Sequence, residues 1–214
     1  MVKDKLPEIW RKNFLNFIRY RHLSRALTTI GINKGDLNEW AKIMTEIAIA
    51  TCKSLSWSIA AEGHVCDILP ISSHKYLDLD IMAFDHTSRS DWKYPIAIIE
   101  LESSQRDYDV AYSFWKLMSV RSYFRVLYCY RPRKSKGVEL IHELEQEVWR
   151  ALDLEDRLIT KGIILVVVGG YERIATIPHT FFQWWVLNKD TGWFEPMPEE
   201  DVNLLGMKYL HRKT

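Results

Sequence analysis

A chain of 214 residues with 47% hydrophobic side chains can build one α/β domain with embellishments, or at most two small domains. Its 29 Lys and Arg against 28 Asp and Glu leave a formal net charge of +1, which excludes a whole-molecule field drawing it onto nucleic acid; any basic surface must be local. The three cysteines Cys52, Cys66 and Cys129 form no pair at zinc-ligand spacing, and the longest apolar run, Ile163–Val168, is far short of the ~18 residues of a membrane span. With no apolar signal core in "MVKDKLPEIW", a soluble protein of the reducing cytoplasm, without a membrane, is the expectation.

Residues 7–30 read as a helix in which Trp10, Phe14, Phe17 and Ile18 interleave with arginines, punctuated by Gly31 and Gly35. Asp36 or Asn38 can cap a second helix to about Ser54, with Leu37, Trp40, Ala41, Met44, Ile47, Ala48 and Thr51 as its apolar stripe. Three strands are predicted near 57–65, 76–84 and 94–102. A helix follows from about Asp107 to Tyr123, with Val110, Phe114, Leu117 and Met118 inward, and then a strand over Phe124–Tyr130. Beyond the loop "RPRKSKG" come a helix over 138–154, a buried strand over 162–168, a hairpin around "NKDTG" and a last short helix. The core order is α-β-β-β-α-β, which predicts an α/β fold with a central mixed sheet flanked by helices. Residues 1–35 then form an N-terminal helical extension, 36–170 the core and 171–214 a Trp-rich C-terminal extension, all within one compact domain.

The chemistry is concentrated in two neighbouring strands. Alternate strand residues share a face, so "YLDLDIMAF" puts Asp78, Asp80, Met82 and Phe84 on one side. "IAIIELES" likewise puts Ile96, Ile98, Glu100 and Glu102 together. Paired antiparallel with Phe84 across from Ile96, the strands set Met82 against Ile98, Asp80 against Glu100 and Asp78 against Glu102. Two stacked acid pairs repel at directly opposed positions. A hard divalent cation is the natural compensation, and Mg2+ (or Mn2+) is favoured because no His or Cys is near. The competing reading is a hydrated acidic rim at the strand ends.

These residues resemble the PD-(D/E)XK nuclease superfamily, whose restriction-endonuclease-like fold carries an Asp on one strand, an acid-x-Lys on the next, and then a helix and a strand. The resemblance spans about residues 36–131. It implies that Asp80 and Glu100 bind the metal, helped by the Leu101 main-chain carbonyl. Glu102 stands where the pattern has Lys, as in some active restriction enzymes, where the acid serves as metal ligand or base; other members without the lysine are inactive. Asp80, Glu100 and Glu102 are therefore the expected catalytic and metal residues, and Asp78 is an alternative to Asp80.

Lys116 could replace the motif ammonium, but its helical wheel position opposite Phe114 and Met118 predicts a solvated lysine. Glu46 and Glu62 are candidates for the acid that such proteins take from another element; the wheel sets Glu46 beside Lys42 and Lys53, away from the apolar stripe. Arg131, Arg133, Lys134 and Lys136 form a local basic cluster able to meet phosphates. Trp184, Trp185, Phe181, Phe182 and Trp193 are expected to close a core or a subunit interface, such as a homodimer's, rather than stack on bases. The implied activity is metal-dependent phosphodiester hydrolysis in nucleic acid, DNA before RNA. The alternative is an inactive protein of the same fold that binds nucleic acid or a protein partner.

Overall fold

Among the described residues seven strands lie side by side in the order in which the chain makes them. The computed structural model describes residues 5–20, 27, 37–87, 90–170 and 181–198. Helices α1 (Leu6–Ile18) and α2 (Leu37–Ser54) precede strands β1 (Ser58–Ala61), β2 (Ile81–Phe84) and β3 (Ala97–Glu102). Next come α3 (Asp107–Ser119), β4 (Phe124–Tyr130) and α4 (Lys134–Glu143), which runs on as a π-helix over Leu144–Trp149. Helix α5 (Leu154–Ile159), β5 (Ile163–Gly169), β6 (Phe182–Asn188) and β7 (Trp193–Pro196) complete the order. Strands β3, β4 and β5 are mutually parallel and every other pairing is antiparallel, so the sheet is mixed.

Period-two alternation divides the strands between two cores. Ile81, Ala83, Ala97, Ile99, Val126 and Tyr128 pack with Trp10 and Phe14 of α1 and Trp40, Met44 and Ile47 of α2. Met82, Phe84, Ile98, Leu127 and Val166 pack on the other side with Val110, Phe114 and Leu117 of α3 and with Leu140, Leu144 and Trp149. Trp184, Phe181 and Phe182 join the first of these cores, as their apolar bulk led one to expect. Sheets buried on both faces read as near-continuous apolar runs, and β4 and β5 do so here.

Several predicted boundaries move, each for a local reason. Strand β1 stops at Ala61 because Gly63, at φ 75°, turns the chain so that the His64 N–H donates to the Ala61 carbonyl (2.8 Å). Strand β2 does not start until Ile81, since Leu77 and Asp78 sit at φ 54° and 55°, a left-handed conformation incompatible with a strand. Helix α3 ends at Ser119 rather than Tyr123. The stretch "RPRKSKG" is not all loop: α4 begins at Lys134. Helix α1 ends at Ile18, and Gly31, Gly35 and Asp36 lie outside the described residues, as does the predicted last helix.

The β6–β7 hairpin turns at "NKDTG" as expected. There the Gly192 N–H, at φ 76°, reaches the Asn188 carbonyl at 2.8 Å. The three cysteines are buried and free. Among the described residues no helix is long and apolar enough to cross a membrane.

Candidate active site

The pairing of β2 with β3 sets Met82 across from Ile98 and Ile81 across from Ile99, the register that apolar matching predicted. One step further it brings Asp80 beside Glu100. There the Asp80 N–H donates to Glu100 Oε1 (3.2 Å), and the Leu101 N–H donates to Asp80 Oδ2 (2.8 Å). Each carboxylate thus accepts a main-chain hydrogen bond across the β2–β3 junction. Glu100 is only 4% exposed, and burial, followed by the neighbouring Asp80 charge, pushes its carboxyl up to about 7. Burial also raises Asp80, opposed by the Leu101 N–H and Lys116 and reinforced by Glu102. Two half-dehydrated carboxylates at one point favour a proton or a cation.

Lys116 supplies the cation, which corrects the expectation of a solvated lysine. Its Nζ lies 2.6 Å from Glu100 Oε2 and donates to the Asp78 carbonyl at 3.1 Å. A helical wheel fixes only where Cβ leaves the helix. The four-carbon stem of Lys116 is long enough to carry its ammonium to Glu100 and the Asp78 carbonyl.

Glu102 is occupied differently. Its Oε1 accepts the Ser104 N–H (2.8 Å) and its Oε2 the Ser113 hydroxyl (3.0 Å), so it clamps the β3–α3 turn. Asp78 does not oppose Glu102 as the register implied. Its left-handed backbone throws the side chain into solvent, where it pairs with Lys75 at 2.8 Å. Glu46 is exposed on α2, whose buried side belongs to the opposite sheet face, and Glu62 is exposed in the turn after β1. The structure therefore brings together Asp80, Glu100 and Lys116, with Glu102 alongside, and leaves Asp78, Glu46 and Glu62 out.

Among the described residues no group of three or more His, Cys, Asp or Glu is arranged to hold a metal ion. The Asp80–Glu100 pair fits a narrower demand. Mg2+ commonly binds through one or two carboxylates and completes its shell with water and substrate phosphate. A metal that needs a full protein cage does not suit this donor set.

The basic cluster also separates. Arg131 is 4% exposed and donates to the carbonyls of Tyr130 (2.7 Å) and Ser104 (3.2 Å) and to Asp107 (2.5 Å), fastening β4 to the start of α3. It is a structural arginine, unable to meet a phosphate. Arg133, Lys134 and Lys136 are exposed, Lys136 in a pair with Glu139.

Sequence reasoning missed Arg125, the one charge inside "FRVLYCY". Buried on β4, it donates to the carbonyls of Leu117 (2.9 Å), Val120 (2.9 Å) and Lys161 (2.7 Å). Its position inside an apolar strand was the available signal.

Fold and site together define an α/β protein with a seven-stranded mixed sheet and a buried acid–lysine cluster at the end of a parallel strand. A scan against protein-family models and searches of curated proteins and of solved structures found no match to this chain.

Proposed function

We propose that this protein is a metal-dependent phosphodiesterase of the restriction-endonuclease-like class, acting on nucleic acid and on DNA in the first instance. The observation that carries the reading is the Lys116 ammonium, 2.6 Å from buried Glu100 and on the flank of Asp80. It restores the two-acids-and-lysine composition that Glu102 interrupts in the sequence. The order α2–β1–β2–β3–α3–β4 supports the same class.

Asp80 and Glu100 are the residues that would hold Mg2+ or Mn2+; when bound, such an ion lowers the pKa of a water and offsets charge building on phosphorus. The protein's own part is positional and electrostatic. Glu100 is oriented by the Asp80 N–H and Asp80 by the Leu101 N–H. Lys116 holds an ammonium beside them, where it can donate to a non-bridging phosphate oxygen or to the attacking water. Glu102, bonded to Ser113 one turn before Lys116, is a positioning residue that holds α3 against β3.

The same ion pair also favours a second reading, a non-catalytic protein of this fold that binds nucleic acid or a protein partner. Lys116 already neutralises Glu100, and no third acid completes a cage among the described residues.

Cleavage of plasmid, single-stranded DNA and RNA with Mg2+ or Mn2+ separates the two. Under the first reading, Glu100→Gln and Lys116→Met each lose about a hundredfold or more in rate. Only Glu100→Gln also loses calorimetric metal binding, and Lys116→Arg regains part of the rate. Salt-sensitive binding with no cleavage under any metal would transfer the assignment to the second reading.

A further inference from the structure

A cleft of about 370 Å³ opens on the same face of β2, toward Tyr94 and Pro95 at the start of β3, the end away from Glu100. Met82 and Phe84 line it, the next two residues after Asp80 on that strand face, each step about 6.5 Å along the strand. Tyr76 stands edge-on to Phe84 with ring centroids 6.2 Å apart. The Tyr76 hydroxyl is already engaged by the Cys66 and Ile71 carbonyls (3.1 and 2.5 Å), so the ring offers the cleft apolar surface. At the mouth Tyr94 is 66% exposed, with the Arg121 guanidinium 4.2 Å over its ring, and Lys93 adds a second cationic residue.

Helix α3 leads to this cleft. Tyr108, Tyr112 and Trp115 are 81%, 55% and 49% exposed and recur at i, i+4 and i+7, so they form one aromatic stripe on its outer side. The stripe ends at Ser119, which lines the cleft and whose hydroxyl donates to the Trp115 carbonyl (3.1 Å). The cleft volume is near the lower end of small-ligand pockets, suited to one flat ring. Aromatic walls with cations at the rim match a ring that carries a phosphate, and stacking on exposed aromatics is how single strands are commonly held.

We propose that the cleft takes one unpaired base of a nucleic-acid strand that runs on from it along α3 toward Asp80 and Glu100. This deepens the reading above by making single-stranded or locally unpaired nucleic acid the substrate class, and the strand's path to the acids rests on that reading. Arg121 and Tyr94 close over the base, and the α3 stripe carries the neighbouring bases.

The test uses the full chain with a chelator present and a single-stranded oligonucleotide bearing 2-aminopurine at one position. The expected result is saturable quenching for the single strand, much weaker for the blunt duplex and for a free deoxynucleoside monophosphate. Tyr94→Ala and Arg121→Ala should each weaken binding about tenfold, with unchanged thermal melts because both side chains lie at the mouth. Tyr94→Phe, which keeps the ring, should bind like wild type. Unaltered quenching in both alanine variants, or a monophosphate that binds more tightly than the strand, would overturn the proposal. Ring-dependent quenching in a protein that cuts nothing under any metal would sink the nuclease reading and leave the base pocket standing. Glu100-dependent cleavage with no quenching would sink the pocket alone.

Discussion

Glu100 is a carboxylate whose ionised form is the costly one, raised from an ordinary value of 4.5 to about 7 by burial and by Asp80. A folded value above the unfolded one means that its contribution to stability is full below the ordinary carboxylate range. That contribution is lost as pH rises through about 7. Without metal, wild type should therefore lose stability relative to Glu100→Gln between about pH 5 and 8, read as the change in urea midpoint across that window. Asp80, also raised by burial, gives a pH dependence of the same sign in both proteins. Metal binding inverts the dependence, because the ion displaces a proton. Calorimetric Mg2+ affinity should climb with pH by up to about tenfold per unit and level off above about 7; a flat profile would mean that Glu100 is not a ligand.

At the scale of the element, two features hold the site's supports in place. Arg125 gathers the carbonyls of Leu117 and Val120, at the C-terminal end of α3, together with that of Lys161, from inside the sheet. A helix end leaves its last carbonyls without intrahelical partners, and a buried one needs donors from elsewhere. Burial lowers the Arg125 pKa to about 10, still far above neutrality, so the guanidinium stays charged. Arg125→Leu keeps the apolar bulk and removes all three donors. Its expected cost is roughly 3 kcal/mol in urea unfolding, accompanied by loosening of α3 and hence of Lys116.

Gly162 precedes β5 at φ 88°, and a Cβ there would sit 2.0 Å from the Tyr123 carbonyl oxygen. That oxygen accepts the Ile163 N–H at 2.7 Å, so it cannot move away without breaking the start of the β4–β5 pairing. Gly162→Ala should cost about 3 kcal/mol or more, while alanine at Gly63, which has open space around it, should cost much less. The thermal melts of the two variants give the comparison.

Across the whole molecule the sheet is most protected where it is parallel. Strands β4 and β5 each have a hydrogen-bonded neighbour on both sides and a core on both faces, whereas β1 and β7 are edges. Amide exchange should be slowest in Val126–Cys129 and Leu165–Val168 and fastest in β1 and β7, as hydrogen exchange read by mass spectrometry would resolve. Fast exchange in β4 would contradict the strand order. The site lies at one end of β3 next to this rigid centre, with its lysine on a helix that packs across it.

The sequence alone determined the α/β class and the α-β-β-β-α-β order, because both follow from local periodicity, and it suggested the β2–β3 register by matching apolar residues across two strands. Apolar matching allows the register that sets Met82 against Ile98 and carries Asp80 to Glu100, and this is the one the strands adopt. Tertiary structure decided the rest. No glycine marks the left-handed turn at Leu77 and Asp78 that removes Asp78 from the cluster. The reach of Lys116 into the strands depends on where α3 lies rather than on its own wheel. Arg131 became a structural staple, not a phosphate contact, because folding brought Ser104 and Asp107 to it. Side-chain direction at the backbone is a local property and can be read from a pattern. The end point of a long charged side chain is settled by which distant groups packing sets within its reach.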